Sequence, residues 1–481
     1  MRDEFHYLNE RFCSFRPYQR IFEAYRLMFN EDEYECFSEI REHSDEVSVI
    51  DQINFSRHLY MDPLPLSAVI DLFPHEPGYG TSSGEIELSR IVKNLEIQRA
   101  NTYAIEIGIP LPSDSWSSIE DSTVAVGSGV TGSLTLAIGG ISLYGSKSHG
   151  KSRRIYYSTP GYSMIEEIAE IFALEAVPYL GSKESHLPDL AQLVESFDPQ
   201  ALAYVLTFPS NPTQECYTCR DLQSLKDLIV KCNETETFLV VDTIFQDMLW
   251  SGEPVPEVFA IAETTEFLVK VFGPSKDRPF ACGLRVGYLI GDKRLRPHID
   301  RLSSVFLNSH NFYSKLWLGI DLMLRAGSPT EDTFTAFEGN FILGNHGRSI
   351  AKGDMLERLN DSRIAEAYVS ANEFNATLMK EQLDAIYDYV LKSETLRIRR
   401  RARFGNTLLV ELKTPAVFHN EFDFFCEALF TKNVGLLVGG FFGVPKDWSP
   451  ISFRVVAASE STDWMIEKLQ RIEELSESRA R

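Results

Sequence analysis

Residues 237–242, TFLVVD, form a run of apolar and β-branched side chains that closes on a carboxylate. Such a run fits a strand covered on both faces, as in parallel sheets. The acid at its end is costly to bury unless a cation or hydrogen-bond donors face it. Working outward, the same pattern recurs in STVAVG (122–127), RRIYYS (153–158), AYVLTF (203–208), EFLVKVF (266–272) and LRVGYLIG (284–291). Amphipathic stretches such as CRDLQSLKDLIVKC (219–232) lie between several of them. Strands alternating with helices predict an α/β unit whose mostly parallel sheet is covered by helices on both faces.

The C-terminal third reads differently. A long helical pattern, EAYVSANEFNATLMKEQLDAIYDYVL (366–391), precedes the apolar runs NTLLVELK (406–413), VGLLVGG (434–440) and ISFRVVAAS (451–459), and a closing helix follows. This predicts a smaller α+β domain, completed by the N-terminal segment. The chain thus divides into a helical, acidic extension (1–50), a Pro/Gly/Ser-rich lead-in to the small domain or a subunit interface (51–84), a large domain (85–325) and a small domain (326–481). A length of 481 residues agrees with more than one core.

With 47 Lys+Arg against 69 Asp+Glu, the net charge of −22 argues against nucleic acid or an anionic membrane as main partner. The basic run LRIRRRARFG (396–405) is a local exception and reads as a solvated helix end or edge strand. Seven cysteines make no disulfide framework, and Cys216 and Cys219 read as helix-start residues. A charged N-terminus without a signal-like apolar core, and the lack of a run long enough to span a bilayer, predict a cytoplasmic protein. No metal site is expected.

In an open parallel sheet, ligands bind beyond the carboxyl ends of the strands. STVAVG leads into SGVTGS (128–133), a Gly/Ser/Thr turn at a helix start, suited to a phosphate. RRIYYS is followed by TPGYS with Tyr162, AYVLTF by SNPT with Asn211, TFLVVD ends in Asp242, and EFLVKVF opens into a turn bearing Lys276. A phosphate cradle, an aromatic face, an amide, a carboxylate and an amine therefore share one rim.

In this order the motifs resemble the fold-type I pyridoxal-phosphate enzymes, specifically the class I/II aminotransferases, over roughly residues 51–470. The resemblance implies pyridoxal 5'-phosphate as cofactor, with Gly129, Val130 and Thr131 of GVTGS and Arg285 of GLRVGY on its phosphate. It implies Tyr162 stacked on the ring, Asn211 donating to the ring 3-oxygen, Asp242 facing the ring nitrogen and Lys276 of PSK as the imine-forming lysine. Tyr79 of YGTSSG would reach the neighbouring subunit's phosphate, making a homodimer. VGLLVGGFFG and ISFRVV match the small-domain signature, which makes Arg454 the clamp for a substrate carboxylate. The implied activity is transfer of the α-amino group of an amino acid, with a 2-oxo acid as second substrate. The same fold also serves lyases, cyclases and oxidases of amino acids.

The match departs from the family pattern in places that bear on function. Phe245 stands where a tyrosine usually donates to the ring 3-oxygen, which predicts a raised imine pKa. Gly273 stands where a serine often contacts the phosphate, leaving Ser275 as substitute. Arg285 follows Lys276 by nine residues, one more than usual, which should reshape the turn beneath the phosphate. An insert around 339–361 adds surface decoration or lines a specialised pocket.

Overall fold

The computed structural model describes residues 48–49, 86–112, 114–145, 150–248, 252–278, 281–307, 310–326, 362–401, 403–457 and 460–480. Tyr79, the 51–84 lead-in and the 339–361 insert lie outside the described residues. The extension is represented by β1 (Ser48–Val49) alone.

A 22-residue helix, α1 (Ile86–Ile107), opens the large domain. Then come β2 (Thr123–Gly127), α2 (Gly129–Gly145), β3 (Arg154–Thr159), β4 (Glu175–Leu180), β5 (Ala203–Thr207), α3 (Leu222–Glu234), β6 (Phe238–Asp242), β7 (Leu268–Phe272) and β8 (Gly287–Gly291). Helices α4 (Arg296–Phe306) and α5 (Phe312–Arg325) close it. The strands form one seven-stranded sheet in the order β2-β8-β7-β6-β5-β3-β4. All run parallel except β8, which is antiparallel to both neighbours.

Alternate residues of the central strands enter separate cores. Tyr204, Leu206, Leu239 and Val241 pack on one face with α1 and α5, while Ala203, Val205, Phe238 and Val240 pack on the other with α2 and α4. This period of two explains why these strands read as continuous apolar runs. Full burial of each such aliphatic side chain contributes about 1.5–3 kcal/mol. The predicted mostly parallel sheet, covered by helices on both faces, is the one observed.

The small domain begins with α6 (Ser362–Lys392). It continues through β9 (Leu396–Arg397), β10 (Thr407–Leu412), α7 (Glu421–Lys432), β11 (Val434–Gly435), β12 (Leu437–Val438), β13 (Ser452–Val456) and α8 (Thr462–Ala480). Strands β12-β13-β10-β9 make an antiparallel sheet, and β11 pairs in parallel with β1. The domain has its own core, centred on Phe424, Phe425, Val438, Phe453 and Leu469.

One strand was missed and one local reading needs correction. β4, EAVPYL, is apolar after Glu175, but Pro178 interrupts it and it lies half-exposed at the sheet edge, where proline is tolerated. Cys216 and Cys219 do not start a helix; α3 begins at Leu222, after a turn in which Asp221 accepts the Thr218 N–H and hydroxyl.

Candidate active site

Five loops leave the carboxyl ends of β2, β3, β5, β6 and β7 on the same rim, as parallel strands require. Because β8 runs the other way, Arg285, two residues before it, joins that rim too.

The β2–α2 turn is closely built. Gly129 has φ +73°, a conformation that L side chains rarely adopt, and a Cβ there would stand 3.0 Å from Arg285 Nη2. Arg285 Nη2 donates to the Ser128 carbonyl at 3.2 Å. A guanidinium thus lies against the N-terminus of a 17-residue helix whose first N–H groups lack intrahelical acceptors. Such an arrangement suits an anion. Val130 and Thr131 form the first turn of the helix, and the Thr131 hydroxyl bonds the Tyr162 hydroxyl at 2.8 Å, holding the aromatic ring beside it.

Asp242 ends β6 at 3% exposure. Its Oδ1 accepts the Ile244 N–H at 3.1 Å. Burial pushes its carboxyl up to about 7, although that N–H and the nearby Lys276 charge pull the other way. Lys276 is half-buried on the turn after the neighbouring strand β7, with Ser275, also half-buried, beside it.

The lysine turn is anchored from outside the sheet. Arg325 Nη2 donates to Asp277 at 3.2 Å, and Arg278 Nε donates to Asp321 at 3.0 Å and to the Tyr368 hydroxyl at 2.8 Å. Six residues before Lys276, Lys270 is fully buried in β7 with its ammonium 2.5 Å from Glu96 and 2.6 Å from Glu257. Burial alone would raise Glu96, but Lys270 and Arg99 hold its carboxyl below the ordinary range.

The small domain reaches the rim at several points. Arg454 of β13 donates from Nη1 to Asn211 Oδ1 at 2.8 Å, which leaves the Asn211 amide nitrogen as that side chain's donor end. The Arg454 guanidinium also lies 4.6 Å from the centre of the Phe442 ring. Gly161 N–H donates to the Phe442 carbonyl at 2.8 Å, Thr407 Oγ1 to the Pro212 carbonyl at 2.7 Å, and Gly405 N–H to the Met248 carbonyl at 2.8 Å. The turns carrying Tyr162, Asn211 and Asp242 are each tied to the smaller domain.

Each departure from the family pattern has a local setting. Phe245 is buried against Met248 and Met379, an apolar cluster suited to a ring without a hydroxyl. At Gly273 a Cβ would stand 2.8 Å from Val130 Cγ2 and 3.1 Å from Gly287 Cα, so a serine does not fit. The lengthened 277–284 connection nonetheless delivers Arg285 to Gly129. The sequence reading missed Asp277, Arg278, Asp321, Arg325, Thr407 and Phe442. Asp321 had a signal, an acid inside the apolar run LWLGIDLML (316–324).

Residues 114–313 match the family described as aminotransferase class I and II. A putative aminotransferase, AatC, of Rhizobium meliloti (strain 1021) is 29% identical over 121 residues, 25% of this chain and 29% of its own length. The glutamate-pyruvate aminotransferase AlaC of Escherichia coli (strain K12) is 25% identical over 116 residues, 24% of this chain and 27% of its own. The matched segment thus spans under a third of either relative's length. The fold is shared along nearly the whole chain: the alanine aminotransferase structure from Pyrococcus furiosus superposes with a TM-score of 0.65 at 17% identity, over 94% of this chain and 98% of that one. Among the described residues, no helix is long and apolar enough to cross a membrane.

The residues on the rim fit pyridoxal 5'-phosphate. A positive-φ glycine and an arginine at a helix start suit its phosphate, and a buried carboxylate beside a half-buried lysine suits the two ends of its ring.

Proposed function

We propose that the protein is a pyridoxal 5'-phosphate-dependent aminotransferase acting on the α-amino group of an amino acid, with a 2-oxo acid as acceptor. The observation that carries this reading is the placement of Asp242 and Lys276 at the ends of adjacent strands, with Arg454 bonded to Asn211 at the same rim. When bound, the cofactor supplies an aldehyde carbon to which an amine can attach and a ring that accepts electrons.

Gly129, Val130 and Thr131 would hold the phosphate through N–H groups at the start of α2, with Arg285 neutralising it and Ser275 as a further donor. Tyr162 would cover one ring face. The Asn211 amide would donate to the ring 3-oxygen, without the second donor that Phe245 cannot offer. Asp242 would keep a proton on the ring nitrogen, and that N–H would relieve the cost of burying the carboxylate. Lys276 would attach the aldehyde and, once displaced by substrate, take and return a proton at the substrate's Cα. Arg454 would bind the α-carboxylate through its planar fork and so fix which Cα bond stands perpendicular to the ring.

We infer a homodimer completed by Tyr79 of the neighbouring subunit, a large domain over 85–325 with a small one over 326–481, and a cytoplasmic location. Gel filtration of an active monomer would overturn the dimer.

The chemistry is tested with purified holoenzyme. Borohydride should fix the vitamin on the peptide containing Lys276, and an amino acid without acceptor should yield one equivalent of 2-oxo acid per subunit and then stop. Repeated turnover without acceptor would instead point to elimination or oxidation. The relatives do not favour that outcome, although Phe245 leaves it chemically open. Turnover by Lys276→Ala would refute the role given to the lysine.

A further inference from the structure

Glu421 is the first residue of α7, where acids are common and usually exposed because they complement the helix dipole. This one is only 6% exposed. Both its carboxylate oxygens face the Gly440 N–H, at 3.1 and 3.3 Å, and a Cβ on the preceding Gly439 would collide with Ser452 Oγ, so this turn sits directly on the next strand. Gly440 belongs to the 3-10 turn Gly439–Phe442, and Ser452 is the first residue of β13, two before Arg454. One buried side chain therefore holds the turn that brings Phe442 beneath the Arg454 guanidinium and packs on the strand carrying that arginine. The same turn accepts the Gly161 N–H, one residue before Tyr162, and the Gly443 carbonyl accepts from Thr159.

From this arrangement we propose that Glu421 is a positioning residue for the substrate-carboxylate site: it touches neither substrate nor cofactor but sets where Arg454 and Phe442 stand relative to Asn211 and Tyr162. The inference rests on the aminotransferase reading above. The carboxylate clamp belongs to the small domain and the cofactor ligands to the large one, so loosening this tie acts on substrate capture rather than on cofactor retention. Small misplacements of an orienting group are costly because a bidentate contact tolerates little error in angle.

The test compares Glu421→Ala, Glu421→Asp and Glu421→Gln with the parent holoenzyme, using whichever of the twenty standard amino acids converts it fastest. Alanine removes the acceptor, aspartate keeps the charge but retracts it by one methylene, and glutamine keeps the length and one acceptor oxygen. Losing a charge-assisted tie predicts a KM raised about tenfold in the alanine and aspartate variants. Their kcat, visible absorption band and borohydride labelling of Lys276 should stay near the parent's, and glutamine should recover most of the KM. A parent-like KM in either the alanine or the aspartate variant overturns the proposal, as does a kcat or cofactor content that falls as KM rises. Should alanine fail to fold, the milder aspartate variant decides alone. A parent protein that neither binds the vitamin nor labels at Lys276 fails the aminotransferase reading itself, an outcome distinct from insensitivity at Glu421.

Discussion

Replacing Asp242 by asparagine in cofactor-free protein isolates the cost of burying this carboxylate. Its carboxyl lies at about 7 instead of 3.8, chiefly because burial disfavours the ion. In the unfolded chain the group ionises near ~3.9. Between those values the folded state holds a proton that the unfolded state has released. Stability must therefore fall as pH rises through that window and level off above it. At 1.36 kcal/mol per pH unit, the full displacement is on the order of 4 kcal/mol. Asparagine keeps an oxygen for the Ile244 N–H and never ionises. Apo Asp242→Asn should match the wild type near about pH 4 and exceed it at pH values above about 7, by up to that amount. Urea unfolding of both proteins across the window gives the difference directly. A difference that does not change with pH would mean that Asp242 ionises as it does in water, and the burial argument would fail. Adding pyridoxal 5'-phosphate above neutrality should reverse the order, since a ring N–H pairs with a carboxylate far better than with an amide.

Other outcomes follow from the same geometry. Gly273→Ser must push Val130 away from the β2–α2 turn, so the dissociation constant for pyridoxal 5'-phosphate should rise, and a second change, Val130→Ala, should recover part of it. Lys270→Ala leaves Glu96 and Glu257 buried without their shared cation. It should cost about 3–5 kcal/mol in denaturant unfolding. Phe245→Tyr restores a donor worth about 0.5–1.5 kcal/mol, so the visible band of the holoenzyme should titrate at a pH lower by no more than about one unit. An unchanged titration would show that the hydroxyl points into the Met248–Met379 cluster instead.

The large domain was legible because its strands are buried on both faces and its polar residues stand at their ends, where a break in an apolar run is easy to see. Asp242 and Lys276 stood out for that reason. β4 escaped because Pro178 interrupts its short apolar run, and a proline argues against a strand anywhere but at an edge. The ties from the small domain escaped for another reason: Thr407 meets Pro212 across 195 residues of chain, and nothing local in either segment encodes that meeting. Glu421 likewise looks like any acid at a helix start until the fold shows what it faces. Lys270 sits between these cases. Its oddity within EFLVKVF was visible, but its partners, Glu96 and Glu257, lie on other elements.

The reversed direction of β8 has a consequence for how this scaffold tolerates insertions. Arg285 takes its address from the register of β8, whose Gly287 lies opposite Gly127, and not from its distance along the chain to Lys276. Residues can therefore be gained or lost between lysine and arginine without moving the cation, and only the contour of the intervening wall changes. The connection is pinned at its near end by the ion pairs of Asp277 and Arg278 and at its far end by Arg285 on the Ser128 carbonyl.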